Sequence, residues 1–310
     1  MNMINRETKF LIFGGNRLKE DMPVTYILNY LNKYKIKYLL VTDPAHLKKE
    51  TKSKKNFRLH LKKKKYISFK KLNIKKILDK IDKNTYGISL NAIWKFPSSI
   101  IKKFKGKLFN YHAADLPSSR GAANLTWKIL QNNYKNLSIN IHNVEEKFDT
   151  GNIVQTKKIN LKNSELPKDI LHHISKSEKN FLIDFINKIL KNKKMNEKKQ
   201  KGKNFYWPRL NSDKDGKINW DWKAKDIVLF IKAFSHPYNG SFTFIKKTKI
   251  KIFNAKEIKN TKFHPFQNGI VFRENRNKIF IANFSGYLEI SKKDIKCKKK
   301  IKSFLGKRFI

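Results

Sequence analysis

Through its first two thirds the chain repeats one pattern: a short apolar run, a turn, then apolar residues at helical spacing. KFLIFGG (residues 9–15) reads as a buried strand closed by a glycine turn, and MPVTYILNYLNKYK places Val24, Ile27, Leu28 and Leu31 on one helical face. IKYLLVTD (36–43) is a second strand. FKKLNIKKILDKI (69–81) predicts an amphipathic helix with Leu72, Ile74, Ile77, Leu78 and Ile81 inward. YGISLNAI (86–93) is a third strand, SSIIKKF (98–104) a short helix after Pro97, and KLFNYH (107–112) a fourth strand. ANLTWKILQNN, SINIHNV and the long stretch 170–192 follow as helix, strand and helix. Strand and helix in alternation predict an α/β unit with a parallel sheet covered on both faces, whose ligands collect beyond the carboxyl ends of the strands. FGGN is not GxGxxG, so the first turn carries no dinucleotide expectation.

The pattern changes near residue 200. Residues 191–210 lose apolar periodicity and read as a linker. Beyond it, AKDIVLFIKAF puts Ile227, Phe230, Ile231 and Phe234 on one stripe, and five short strands follow: SFTFI, KIKIF, GIVFR, KIFIA and YLEI. One helix with five short strands predicts a small, partly closed barrel. The expected division is a domain over residues 1–190, a linker over 191–210 and a domain over 211–310. The lysine-rich stretch 290–303 is expected to be solvated surface.

Composition narrows the classes. A chain of 310 residues with 39% hydrophobic content can bury two cores. No apolar run reaches the ~18 residues of a membrane helix. The apolar centre of MNMINRETKFLIFGG is too short for a secretory signal, and one cysteine, Cys297, allows neither an internal disulfide nor a four-cysteine metal site. A cytoplasmic protein without membrane contact is the expectation. The net charge of +47 invites a nucleic-acid reading. Yet only 8 of the 71 basic residues are arginine, where a dedicated phosphate or base reader favours arginine forks. Residues 48–76 are the densest basic segment, read either as a solvated loop or as a tRNA contact.

The stretch FNYHAADLPSSRGAANLTW (109–127) breaks the packing pattern. Residues i and i+2 of a strand share a face, so Asn110 and His112 project together at the strand's end, where a parallel sheet offers a crevice. A carboxamide there can donate to a developing oxyanion and an imidazole can move a proton. Asp149, in the glycine-containing loop EEKFDTGNIV, is the candidate to orient the ring. Each feature alone has a plainer reading: two satisfied surface residues, or a lone DTG without the second copy and all-β body of an aspartic protease.

Together these residues resemble the 10-formyltetrahydrofolate-dependent formyltransferases, whose signature N-x-H-x-S-L-L-P-x-x-R-G precedes D-x-G by some forty residues. Asn110, His112, Leu116, Pro117, Arg120 and Gly121 stand in register, then Asp149 and Gly151. DGKINWDWKAKDIVLFIKAFSHPYNGSFTF is similar to the family's second-domain segment D-G-x-I-D-W … I-R-A-F … P-y-P-G-A-F. The resemblance implies a Rossmann-like formyltransferase domain with a mostly parallel sheet and a small OB-like C-terminal β-barrel. It implies formyl transfer from 10-formyltetrahydrofolate to an amine, with no metal. Asn110 would bind the oxyanion, His112 would stabilise the intermediate and pass the proton, and Asp149 would hold His112. Trp94, Phe96 and the loop Glu145, Glu146, Lys147 and Phe148 would lie along the pterin, although Trp94 and Phe96 equally suit core aromatics. Asp115, Pro117, Arg120, Gly121 and His142 would line the acceptor side.

Departures bear on the acceptor. The usual S-L-L is Ala114-Asp115-Leu116, and Asn124 replaces the proline after R-G-x-x. Asp115 either engages an acceptor amine or caps the turn. His142 stands where methionyl-tRNA enzymes tend to carry methionine and sugar or ribonucleotide enzymes often carry histidine; it either touches the acceptor or fills a strand face. The expected acceptor is therefore a nucleotide-linked amino sugar, with initiator methionyl-tRNA as the alternative. A formyltetrahydrofolate hydrolase and a non-catalytic nucleic-acid binder are the other readings. Oligomeric state is not legible.

Overall fold

A computed structural model of the chain describes residues 5–16, 23–49, 56–62, 64–133, 136–161, 166–299 and 301–310. Of the basic segment 48–76, residues 50–55 and 63 lie outside the described residues. The chain begins β1 (Lys9–Gly14), α1 (Pro23–Lys33), β2 (Lys37–Thr42), α2 (Pro44–Leu47), α3 (Phe57–His60), β3 (Tyr66–Ser68) and α4 (Ile74–Leu78). It continues β4 (Thr85–Leu90), α5 (Ser98–Phe104), β5 (Leu108–His112), β6 (Arg120–Gly121), α6 (Asn124–Leu130), β7 (Asn136–Asn143), β8 (Ile153–Asn160) and α7 (Pro167–Leu190). Then come β9 (Tyr206–Trp207), α8 (Ser212–Asp215), α9 (Ala224–Ala233), β10 (Ser241–Ile245), β11 (Thr248–Ile252) and β12 (Lys256–Ile258). The last strands are β13 (Val271–Glu274), β14 (Lys278–Asn283), β15 (Gly286–Ser291) and β16 (Ile295–Cys297).

Two compact units interleave along the sequence: Met1–Gly121, Asn136–Asn160 and Leu171–Tyr206 form one, and Ala122–Lys135, Leu161–Ile170 and Trp207–Ile310 the other. The division expected near residue 200 therefore differs from the spatial one. Most of the expected linker belongs to the first unit. Its Lys198 pairs with Ile153 on the edge strand β8 through two 2.8 Å backbone hydrogen bonds.

The first unit is a seven-stranded sheet in the order β3-β2-β1-β4-β5-β7-β8. The strands from β3 to β5 are parallel, as the alternation of elements predicts. β7 and β8 run antiparallel to their neighbours, so the sheet is mixed. One face buries Leu11, Phe13, Val41 and Leu108 against Ile77, Ile81, Phe96, Ile100 and Phe104. On the other face Phe109 and Tyr111 meet Phe185 and Phe181 of α7, at ring separations of 5.1 and 6.3 Å. These apolar contacts hold β5 firmly behind its two polar side chains.

The helix predicted over 69–81 is only the five residues of α4. Phe69 still donates to the carbonyl of Thr42, extending the strand contact, and Asn73 caps the helix with its side chain on the amide of Lys76. Ile77 and Ile81 are buried as expected, but Ile74 is 42% exposed.

In the second unit, α9 buries Ile227, Phe230 and Ile231, and packs on α6, β12 and β15. The five expected strands are present. Two more, β12 and β16, join them; β16 lies in the stretch expected to be solvated lysine-rich surface and pairs with β11. The strands form two antiparallel sheets, β10-β11-β16 and β12-β15-β14-β13. The C-terminal residues hydrogen-bond to both: Phe244 of β10 and Ile310 exchange backbone bonds of 2.9 and 3.0 Å, and Phe309 donates to the Gly269 carbonyl at 2.8 Å just before β13. Among the described residues the two sheets meet through these bonds and not through a shared ladder. Among the described residues no helix is long and apolar enough to cross a membrane.

Candidate active site

At the carboxyl end of β5, Asn110 and His112 share a face, as a period of two requires. The antiparallel register of β7 sets His142 directly opposite Asn110, so a third polar side chain joins them from the neighbouring strand. The loop after β7 then turns back and delivers Asp149. This residue sits at φ +55°, a left-handed conformation that Asp tolerates better than most side chains.

Asp149 is the hub. Its Oδ1 accepts from Asn110 Nδ2 at 3.2 Å and lies 3.3 Å from His142 Nε2 and 3.7 Å from His112 Nδ1. Its Oδ2 accepts from the backbone amide of Gly121 at 2.9 Å. The carboxylate is 10% exposed and the two imidazoles less. Burial works to raise the pKa of Asp149, but the His112 charge, the hydrogen bond and charge of His142 and the Gly121 amide together hold it well below the ordinary carboxylate range. The carboxylate is thus ionised throughout the physiological range.

Both nitrogens of His112 face acceptors. Nε2 sits 2.8 Å from the Ser119 carbonyl, and Nδ1 faces Asp149. This arrangement suits an imidazolium, which carries a donor on each nitrogen. Asn110 is half-buried while the residues flanking it are buried, so the cluster opens outward at the carboxamide.

Sequence reasoning missed Gln200. Its Nε2 donates to the carbonyls of both Asp149 and Gly151, at 2.8 Å each, and its Oε1 accepts from Arg120 Nη2 at 2.8 Å. One glutamine thereby ties the aspartate loop to the turn after β5. Its only signal was that it interrupts a lysine-rich run.

The other expected residues are placed as follows. Arg120 braces Gln200. Gly121 serves Asp149 through its backbone. Pro117 is buried and accepts from the Phe205 amide at 3.3 Å. Asp115 Oδ1 accepts from the Ser138 amide at 2.8 Å, so the carboxylate holds strand β7 and not the turn it stands in. Trp94 is half-buried, its indole donating to the Lys70 carbonyl at 3.3 Å. Phe96 is core, edge-on to Phe13 at 5.0 Å. Glu145, Glu146, Lys147 and Phe148 are exposed; the Lys95 ammonium stands 5.9 Å over the Phe148 ring.

Gly151 yields a stability prediction. A Cβ there would lie 2.0 Å from the carbonyl oxygen of Asn143, and that oxygen also faces His142 Nδ1 at 2.7 Å. Gly151→Ala must displace backbone, at a cost of about 1–3 kcal/mol. Thermal unfolding should show a midpoint lower by roughly 2–4 °C per kcal/mol. An unchanged midpoint would contradict the close approach.

The chain matches the formyl transferase family over residues 23–186 and the formyl transferase C-terminal domain over residues 211–306. It is 27% identical to the methionyl-tRNA formyltransferase of Thermodesulfovibrio yellowstonii over 194 residues, 63% of this chain and 60% of that protein. It is 29% identical to the methionyl-tRNA formyltransferase of Finegoldia magna over 240 residues, 75% of this chain and 74% of that one. A solved N-formyltransferase from Helicobacter canadensis, in complex with folinic acid and dTDP-3-aminofucose, superposes with a TM-score of 0.69 at 20% identity, covering 92% of this chain and 98% of that one. At that identity the likeness speaks for the fold. The matched stretches span 60% and 55% of the length of the first two curated relatives.

Proposed function

The chain belongs to the formyl transferase family, and on that premise we propose that it moves a formyl group from 10-formyltetrahydrofolate to a primary amine. The observation that carries this reading is the convergence of Asn110 and His112, from the end of one strand, on the buried carboxylate of Asp149, from a loop some forty residues further on.

The folate supplies an activated formyl carbon. The chain's residues do the rest. The Asn110 carboxamide, at the open side of the cluster, donates to the formyl oxygen as the amine attacks and negative charge grows there. His112, held between the Ser119 carbonyl and Asp149, places positive charge beside that oxygen, gives a ring proton to the departing folate nitrogen and takes back the proton of the attacking amine. Asp149 stays ionised and keeps both rings oriented. Trp94 and the loop 145–148 are assigned to the pterin. Phe96, packed into the core, acts there only as a support.

For the acceptor we assign an amino sugar on a nucleotide. The loop after β5 departs from the family pattern at Ala114-Asp115-Leu116 and Asn124, and the Helicobacter canadensis enzyme, solved with dTDP-3-aminofucose, matches along nearly its whole length. Initiator methionyl-tRNA is the second reading, favoured by the curated relatives and by the net charge of +47. The test offers purified protein formyl-labelled 10-formyltetrahydrofolate with a dTDP-linked 3-amino sugar and, separately, initiator methionyl-tRNA. Label in the sugar nucleotide is expected. Label in tRNA alone reverses the acceptor assignment, and formate released without either acceptor points instead to a hydrolase.

A further inference from the structure

Resting on that reading of Asn110, we propose that His142 is a positioning residue that sets which end of the Asn110 carboxamide faces the substrate. The Nδ1 of His142 lies 2.7 Å from the Asn143 carbonyl, which can only accept, so Nδ1 carries a proton. Nε2 is therefore the nitrogen at which the neutral ring and the cation differ. It faces Asn110 Nδ2 at 3.2 Å and Asp149 Oδ1 at 3.3 Å. The other ionisable group facing this ring is His112 on β5, at a centroid separation of 6.2 Å.

With Nε2 unprotonated, the ring accepts one N–H of Asn110 and Asp149 accepts the other. Both donors of the carboxamide then point into the cluster. Its oxygen, which enters no hydrogen bond among the described residues, is left toward the open side. An oxygen there repels a developing oxyanion instead of binding it. With Nε2 protonated, the ring becomes a donor lying between two oxygens, that of Asp149 and that of the carboxamide turned by 180° about its Cβ–Cγ bond. The turned carboxamide keeps its shape and sends its NH2 group outward. The turn brings amide and carboxylate oxygens close, and the cationic N–H between them offsets that repulsion. His142 in its protonated form thus arms the oxyanion site without touching substrate.

Four variants and one spectrum test this. In ligand-free protein labelled with 15N-asparagine, the Asn110 side-chain resonances, identified by their loss in Asn110→Ala, should shift in step with the His142 ring as pH is changed. They should not do so in His142→Gln, whose amide donates from the Nε2 position at every pH. Resonances that ignore the His142 titration overturn the proposal. Kinetics are measured with 10-formyltetrahydrofolate and the dTDP-linked 3-amino sugar, and in parallel with initiator methionyl-tRNA. His142→Leu should lower kcat at least about tenfold, within the ~10²–10³ that an oxyanion donor supplies, with the KM for folate unchanged. His142→Gln should restore most of that loss. Asn110→Ala with His142→Leu should be no slower than Asn110→Ala alone. Losses that multiply overturn the inference and leave the catalytic reading of Asn110 standing. An unimpaired Asn110→Ala overturns both.

Discussion

Asp149→Asn is expected to lower the turnover of formyl transfer by about 10³- to 10⁴-fold, the range found when a carboxylate that orients an imidazole becomes an amide. The side chain keeps its shape and loses its charge. Its oxygen can still accept from the Gly121 amide, but an NH2 group then occupies the position of Oδ1, 3.2 Å from the Asn110 nitrogen and 3.3 Å from His142 Nε2. Donors face donors, and His112 loses the negative charge that its Nδ1 faces. The same substitution has a stability signature. Because the folded-state pKa of Asp149 is depressed, the carboxylate stabilises the fold above its unfolded value of ~3.9 and loses that contribution as pH falls toward the lower, folded value. Acid unfolding of the wild type should therefore carry a component that Asp149→Asn lacks. Turnover within tenfold of wild type in a folded Asp149→Asn protein would remove the carboxylate from the mechanism.

The pair at positions 110 and 112 was legible because a strand has a period of two and an apolar run ends there. Asp149 was legible as a position in a motif, but its distances depend on Gly151 letting the loop pass against Asn143. The place of His142 was hidden in topology. Alternating strands and helices predict a parallel sheet, and only the antiparallel return of β7 sets His142 across from Asn110. Gln200 was hidden differently: hydrogen bonds to backbone carbonyls leave no pattern in a polar run. Edge strands escape for a related reason. β8 exposes Thr156, Lys157 and Lys158 on a strand with one neighbour in the sheet, so its hydrophobic alternation is weak. Phe96 and Trp94 carried the same two readings, pterin contact or core aromatic, and the sequence could not separate them: the Phe96 ring packs edge-on to Phe13 in the core, while Trp94, two residues before, stays half open.

His112→Ala should cost roughly 10²–10⁴ in kcat, the contribution of a placed acid–base group. The ring is buried, with Nε2 committed to the Ser119 carbonyl at 2.8 Å and Nδ1 facing Asp149 at 3.7 Å. The second distance exceeds a hydrogen bond, so Nδ1 is the less tightly held of the two nitrogens. Removing the ring leaves the Ser119 carbonyl without this donor and Asp149 without one of its cations, which costs about 1–3 kcal/mol of stability. Circular dichroism must therefore establish that the variant is folded at the assay temperature. Binding of 5-formyltetrahydrofolate, a stable analogue of the donor, should be unchanged, since the ring acts on the reacting atoms and not on the pterin. His112→Gln retains donors but no transferable proton, and should be as slow as the alanine variant. Added imidazole should recover part of the activity of His112→Ala if proton transfer is what was lost, and none if charge alone was. A folded His112→Ala protein that keeps a tenth of wild-type turnover would place the chemistry elsewhere on the chain.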